Sequence, residues 1–254
     1  MGYRNDLDLV FLGDMEKSSS LSNLVKILTM DKDGEKRFTE TLTSSEQYKK
    51  YYPDHKKYWK LIAEEIQLFG ANSVVSFFRG GKGVLYREIL LDVAGHLKIK
   101  IENKSAEIAK IEEEVILGVL KQSMDKMTPD ELKQLAKEAN ISLSSIAPQM
   151  LLASLQTIFS IGGFQSYKFT LIIANQVMRA TGLTFAGNAA LMRTAAIFTG
   201  PIGWIVTGTW TAVDLAGPAT RVTIPAVFEI IQLRMKYKLE REKLWDDIQQ
   251  QMNN

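Results

Sequence analysis

Apolar side chains return at three-and-four spacing through much of the first 140 positions. Trp59, Ile62, Ile66 and Phe69 form one stripe, Leu85, Ile89, Val93 and Leu97 a second, and Ile108, Ile111, Val115 and Val119 a third. This period is that of a helix with one oily face, so amphipathic helices are predicted over 58–69, 84–97 and 107–124, with a shorter one over 132–139. Two polar signatures mark helix starts. Thr43-Ser44-Ser45-Glu46 and Thr128-Pro129-Asp130-Glu131 both read as capping boxes, and the second gains from a proline at the first helical position. No run of alternating β-branched residues between turn signals calls for a sheet, so the predicted class is all-α.

Beyond residue 148 the pattern changes. Positions 149–233 hold four basic residues (Lys168, Arg179, Arg193, Arg221) and two acidic ones (Asp214, Glu229), whereas the first 148 hold 22 basic and 23 acidic. The chain therefore divides into a charged helical domain, 1–148, and an apolar helical region, 149–254. The first comprises a short N-terminal module, 1–45, and central helices, 46–148. In the second, apolar helices are expected over 150–161 and 164–178, broken at Gly162-Gly163. A central hydrophobic hairpin is placed over 183–213. Its core, 194–213, is 20 residues without a charge, long enough to cross a bilayer as a helix, yet interrupted by Gly200-Pro201. A final amphipathic helix over 226–251 starts apolar and turns basic at Arg234, Lys236, Lys238, Arg241 and Lys243, a cluster suited to anionic lipid or to the wet end of a surface helix.

Charge and composition narrow the chemistry. A net charge of +2 gives no global field for nucleic acid, and the absence of cysteine excludes disulfides, thiolate catalysis and cysteine-ligated metals. The N-terminus lacks the apolar run of a signal peptide and the serine or threonine of a myristoylation site, so a cytoplasmic location, peripheral or integral at the inner membrane, is expected. The aromatic and basic residues of 48–59 read as rings beneath snorkelled lysines rather than as a nucleic-acid platform. His55 and His96 sit in no ligand motif.

Several small constellations stand out. Asp31, Asp33 and Glu40 flank Gly34 with the spacing of a weak calcium loop, though an Asp-Gly turn between helices accounts for it as well. Arg79, Gly81, Lys82 and Gly83 precede the second amphipathic stripe and form a weak anion site at a helix start, or a glycine-rich connection. Arg193, Asp214 and Arg221 border the apolar run, and Asp214 is expected to form a buried ion pair with one of the two arginines. The surface expected to meet a membrane or partner comprises Ile197, Phe198, Pro201, Ile202, Trp204, Ile205, Val206 and Trp210. No catalytic residue and no cofactor site emerges.

The segments 3–12, 57–70, 83–90, 200–204 and 217–226, which include Gly200-Pro201-Ile202-Gly203-Trp204 and Gly217-Pro218-Ala219-Thr220-Arg221, together resemble the YaaW-like family of uncharacterised bacterial proteins. That family is in turn distantly similar to the ubiquinol-cytochrome c chaperones. The resemblance implies a bacterial source and a helical fold, and supplies no catalytic residue. The combined expectation is a non-enzymatic helical protein that associates with or inserts into a membrane through its apolar C-terminal half. The alternative is a soluble assembly factor, chaperone or adaptor for a protein partner. Membrane lipid or a protein is the expected partner, nucleic acid is not, and self-association is left open.

Overall fold

The structure is a computed structural model that describes residues 3–31, 35–73, 83–142, 147–180 and 219–252. Among these residues it is all-α, with short 3-10 turns and one isolated bridge, Met30 to Lys36. In chain order the helices are α1 (Phe11–Asp14), α2 (Ser22–Thr29), α3 (Glu46–Tyr51), α4 (Trp59–Ser73), α5 (Tyr86–His96), α6 (Ile108–Met124), α7 (Pro129–Glu138), α8 (Pro148–Ile161), α9 (Gly163–Ala180) and α10 (Thr220–Met252).

The stripes read from sequence become the buried faces of these helices. Ile62, Ile66 and Phe69 of α4, Ile89 and Val93 of α5, and Ile111, Val115 and Val119 of α6 all lie in one continuous core. Trp59 is only half-buried. It packs edge-on against Tyr3, 5.7 Å between ring centroids, and a Cβ on Gly13 would fall 2.5 Å from its Nε1. The N-terminal residues thus close over the start of α4.

Helix ends follow the polar signals where side chains are free to use them. The Thr128 hydroxyl accepts from the Glu131 amide at 3.3 Å while Glu131 accepts from the Thr128 amide at 2.7 Å, which makes the expected capping box with Pro129 in the first turn. The box expected at Thr43 forms differently. Glu40, itself buried, takes both the amide and the hydroxyl of Thr43, so Ser45 caps α3 instead, accepting from the Tyr48 amide at 3.1 Å. Gly162 and Gly163, at φ 82° and 79°, make the break between α8 and α9 in a region of backbone space that side-chain-bearing residues rarely occupy.

α10 organises the rest. Every residue from Val222 to Arg234 is buried, the environment of a helix enclosed on all sides rather than laid on a surface. It packs against α9 along most of that helix and against α2, α4 and α5. α9 runs antiparallel to it. Gly163 at the start of α9 lines the same small cavity as Glu242, and further along Thr170 Oγ1 lies 2.8 Å from Met235 Sδ. Past Arg241 the helix leaves the body, and each residue from Arg241 to Gln250 is exposed.

Candidate functional site

The most elaborate polar arrangement lies inside the protein, where α6, α5, α10 and the N-terminal segment meet. Arg234 Nε donates to both carboxylate oxygens of Glu112, at 3.0 and 2.8 Å, and Arg234 Nη2 donates to the Asp8 carbonyl at 2.6 Å. Tyr86 donates its hydroxyl to Glu112 at 2.9 Å, and the Arg234 guanidinium lies 4.3 Å from the centre of the Phe11 ring. Glu112 and Tyr86 are fully enclosed and Arg234 nearly so.

Burial pushes the Glu112 carboxyl upward, against the pull of Arg234, and raises the Tyr86 phenol well above its usual range. For Arg234 burial acts downward and is the largest single effect, but Glu112, Tyr86 and Asp8 together outweigh it, so its pKa rises. A guanidinium held by both carboxylate oxygens is an ion pair, and this one is further held by a phenol on Glu112 and a backbone carbonyl on Arg234.

A second set of contacts ties the N-terminus to the same place. Asp6 is buried and accepts from the Tyr86 amide at 2.7 Å, the first amide of α5, while Glu88 accepts from the Leu85 amide at 3.1 Å. Gln67 of α4 holds residue 4 from both sides, accepting from the Arg4 amide at 3.0 Å and donating to its carbonyl at 2.9 Å.

These contacts bear on the weak anion site. Arg79, Gly81 and Lys82 lie outside the described residues. Gly83, which is described, presents its carbonyl to Arg4 at 3.2 Å, and the two amides at the start of α5 are already taken by the carboxylates of Asp6 and Glu88. The positive helix end that an anion would use is neutralised by the chain itself.

In the calcium constellation, Asp33 lies outside the described residues. Asp31 faces Arg37 at 3.3 Å, whereas Glu40 turns inward to Thr43 and to Lys36 at 3.1 Å. Of the three residues bordering the apolar run, Arg193 and Asp214 lie outside the described residues, so the expected pair does too. Arg221 is exposed rather than buried, and close enough to Arg37 to help hold its pKa down, after the larger effect of Arg37's own burial. Ile197, Phe198, Pro201, Ile202, Trp204, Ile205, Val206 and Trp210 likewise fall outside the described residues, as does the whole hairpin expected over 183–213.

In the basic cluster of the last helix Lys238, Arg241 and Lys243 are exposed, as at the wet end of a surface helix, but the expectation is corrected at its first two members. Arg234 does not face water or lipid but is the cation of the buried pair, and Lys236 donates to Ser20 at 2.8 Å and approaches Glu240 at 3.7 Å. Periodicity carried a signal for this. Arg234 follows Val227, Ile230 and Ile231 at helical spacing, on the stripe that α10 buries.

Carboxylates that could have served as acid or base are dispersed. Glu65 is buried and holds Thr41 through its amide at 2.9 Å and hydroxyl at 2.6 Å; burial raises its pKa, with Glu40 adding to the rise. Glu229 of α10 is buried beside Asn23, and desolvation lifts its pKa to about 7. Among the described residues no group of three or more potential metal ligands converges. A groove of about 790 Å³ between α6, α8 and the segment after α5 is lined largely by lysines and carboxylates, none of them buried.

A compact all-α body held by a buried ion pair defines a helical protein without a recognisable catalytic centre among its described residues. The comparisons with known proteins give the family. A domain of unknown function, DUF3944, matches residues 3–38. A UPF0174 protein of Helicobacter pylori strain J99 is 45% identical over 246 residues, covering 95% of this chain and 96% of its own, and one of strain 26695 is 41% identical over 207 residues, covering 78% and 98%. The UPF0174 protein YaaW of Escherichia coli K12 is 30% identical over 237 residues, covering 92% and 96%. The chain belongs to the UPF0174 family. The likeness to ubiquinol-cytochrome c chaperones is not shown by these comparisons, and no solved structure matches.

Proposed function

We propose that the protein is a non-enzymatic helical factor that docks on a membrane through the apolar segment joining α9 to α10. The observation that carries the reading is where that segment starts and finishes. Because α9 and α10 are antiparallel, the chain leaves at Ala180 and returns at Ala219 at the same end of the molecule. A single bilayer crossing would separate those two points by the thickness of the hydrocarbon core, about 30 Å. An excursion that goes in and comes back on one side, as a hairpin turning at Gly200-Pro201, is compatible with both helices staying packed.

The same end carries Phe38, fully exposed at 101% and next to Arg37, whose pKa feels the nearby charge of Arg221. A bare aromatic beside cations suits the interface of a bilayer. Among the described residues no helix is long and apolar enough to cross a membrane, so α1 to α10 form the part that stays outside in this reading.

The test is flotation of the full chain with vesicles of phosphatidylethanolamine and phosphatidylglycerol. The chain is expected to rise with the vesicles, and Ile202→Asp with Ile205→Asp to abolish that. A full chain that stays at the bottom of the gradient overturns the membrane reading and leaves the adaptor for a protein partner.

A further inference from the structure

Arg37 and Phe38 reverse the usual order of a protein surface. Arg37 is buried, whereas Phe38 is 101% exposed, the barest large apolar side chain among the described residues; Leu7 at 81% and Ile161 at 80% come next. The reversal is held in place by the backbone. The Arg37 amide donates to the Thr29 carbonyl at 2.7 Å and the Asp31 amide to the Glu35 carbonyl at 2.8 Å, which closes a narrow turn on the bridge between Met30 and Lys36. The Arg37 guanidinium donates to the Met30 carbonyl at 2.6 Å and to Asp31 at 3.3 Å, and lies 5.8 Å from the centre of the Phe69 ring of α4. The turn is thus pinned to α2 and α4, and Phe38 stands on a fixed base.

Its place in the molecule is set by α2, which runs antiparallel to α10. Ser20 meets Lys236, Asn23 meets Glu229, and past the end of α2 Arg37 comes within reach of the charge of Arg221. The turn therefore lies beside the start of α10, where the segment between α9 and α10 returns to the body.

We propose that Phe38 is a second membrane contact, a shallow wedge that enters the bilayer interface beside that segment and seats the folded body on the lipid. This rests on the membrane reading above and adds to it a contact made by the body itself.

The neighbours of Phe38 keep the wedge shallow. The Lys36 side chain is 64% exposed beside Glu40, Thr39 is exposed, and Met30, at 37%, supplies only an apolar edge. The fixed base favours entry, because a ring already held outward loses little freedom on binding. Lipid suits it better than another protein. One aromatic side chain covers about 200 Å², far short of the roughly 800 Å² per partner of a stable protein interface, whereas insertion into a bilayer scales with whatever apolar area is offered.

The chain has no cysteine, so Thr39→Cys takes a single environment-sensitive dye next to Phe38. Ser105→Cys is the distant control, since the nearby Glu107 lines a cavity with Glu242, about 32 Å along α10 from Arg221. With vesicles of phosphatidylethanolamine and phosphatidylglycerol, the dye at position 39 is expected to shift to the blue and to be quenched by spin labels at the headgroups but not at the bilayer centre. The dye at position 105 is expected not to respond. Phe38→Ser is expected to lower the partition into vesicles about tenfold at an unchanged thermal midpoint, and Phe38→Trp to keep it.

The outcomes separate the two readings. A wild-type chain that floats while the dye at position 39 stays in water, or a Phe38→Ser chain that floats as well as wild type, overturns the wedge and leaves the membrane reading standing. A wild-type chain that does not float overturns both. A blue shift at position 39 that appears without vesicles as the chain is concentrated shows a protein in place of lipid and overturns the wedge.

Discussion

α10 is one helix with two contrary surfaces. From Val222 to Arg234 it carries Thr223, Glu229, Gln232 and Arg234 among apolar residues and buries them all, whereas from Arg241 to Gln250 it carries Leu244, Trp245 and Ile248 and exposes every one. Hydropathy by itself would have ordered these the other way at several positions. What decides is whether the neighbouring elements supply partners. Glu112, Asp8 and Tyr86 meet Arg234, Asn23 meets Glu229, and Tyr167 meets Gln232 at 3.3 Å, so the buried half tolerates its larger polar groups, while the small Thr223 hydroxyl is buried without a hydrogen-bond partner among the described residues. The tail has no such neighbours among the described residues, and its apolar face is a surface held open.

The sharpest way to break the contrast is to strip one partner from the buried half. Glu112→Gln leaves the Arg234 guanidinium enclosed without its counter-charge and is expected to destabilise the protein by about 3–5 kcal/mol in urea unfolding. Replacing both residues together, as Glu112→Gln with Arg234→Met, is expected to recover most of that loss. If the single and double variants unfold at the same midpoint, the pair is not the anchor described here.

Truncation of apolar side chains should separate the halves almost as strongly. Phe228→Ala in the enclosed half is expected to cost about 3–5 kcal/mol through lost burial and a cavity. Leu244→Ala in the tail is expected to change the folding stability by less than about 0.5 kcal/mol.

Glu229 sharpens the comparison through pH. Its pKa is about 7 in the folded protein against an ordinary 4.5, so between those values the native state binds the extra proton. Stability contributed by this group is full below about pH 4.5, declines as pH rises toward 7, and is flat above, for a total on the order of 3 kcal/mol. Glu229→Gln, measured by urea unfolding at pH 5 and pH 8, should remove this slope and gain most at pH 8. An unaltered slope would show that Glu229 does not titrate in this range. The smallest effect belongs to the surface cap. Thr128→Ala should cost about 1 kcal/mol, read from the thermal midpoint.

Much of this architecture was legible along the chain. The three stripes, the capping box at Thr128 and the break at Gly162-Gly163 depend on neighbours within a few residues, and each of these falls where the pattern puts it. What could not be read locally is the identity of distant partners. Glu112 and Arg234 are 122 positions apart, and Arg234 sits in a run of cations that looks solvated until the fold turns one of them inward. The capping of α5 by Asp6, 80 positions away, was hidden for the same reason, and it occupies an amide at the helix start beside which an anion site had been expected. The charged residues standing within oily stripes, Glu112 beside Ile111 and Arg234 beside Leu233, were the only local sign that a polar centre lay inside.

The bond from Arg234 to the Asp8 carbonyl joins residues 226 positions apart. On a ribosome that adds about 5–20 residues per second, the segment around Asp8 is made roughly 10–45 s before the side chain that secures it. During that interval Leu9, Phe11 and Leu12 can meet α4 and α5 but lack the cover that α10 supplies. The segment around Asp8 is therefore secured long after it is made, an exposure during which a chaperone or a proofreading protease has its best opportunity to act.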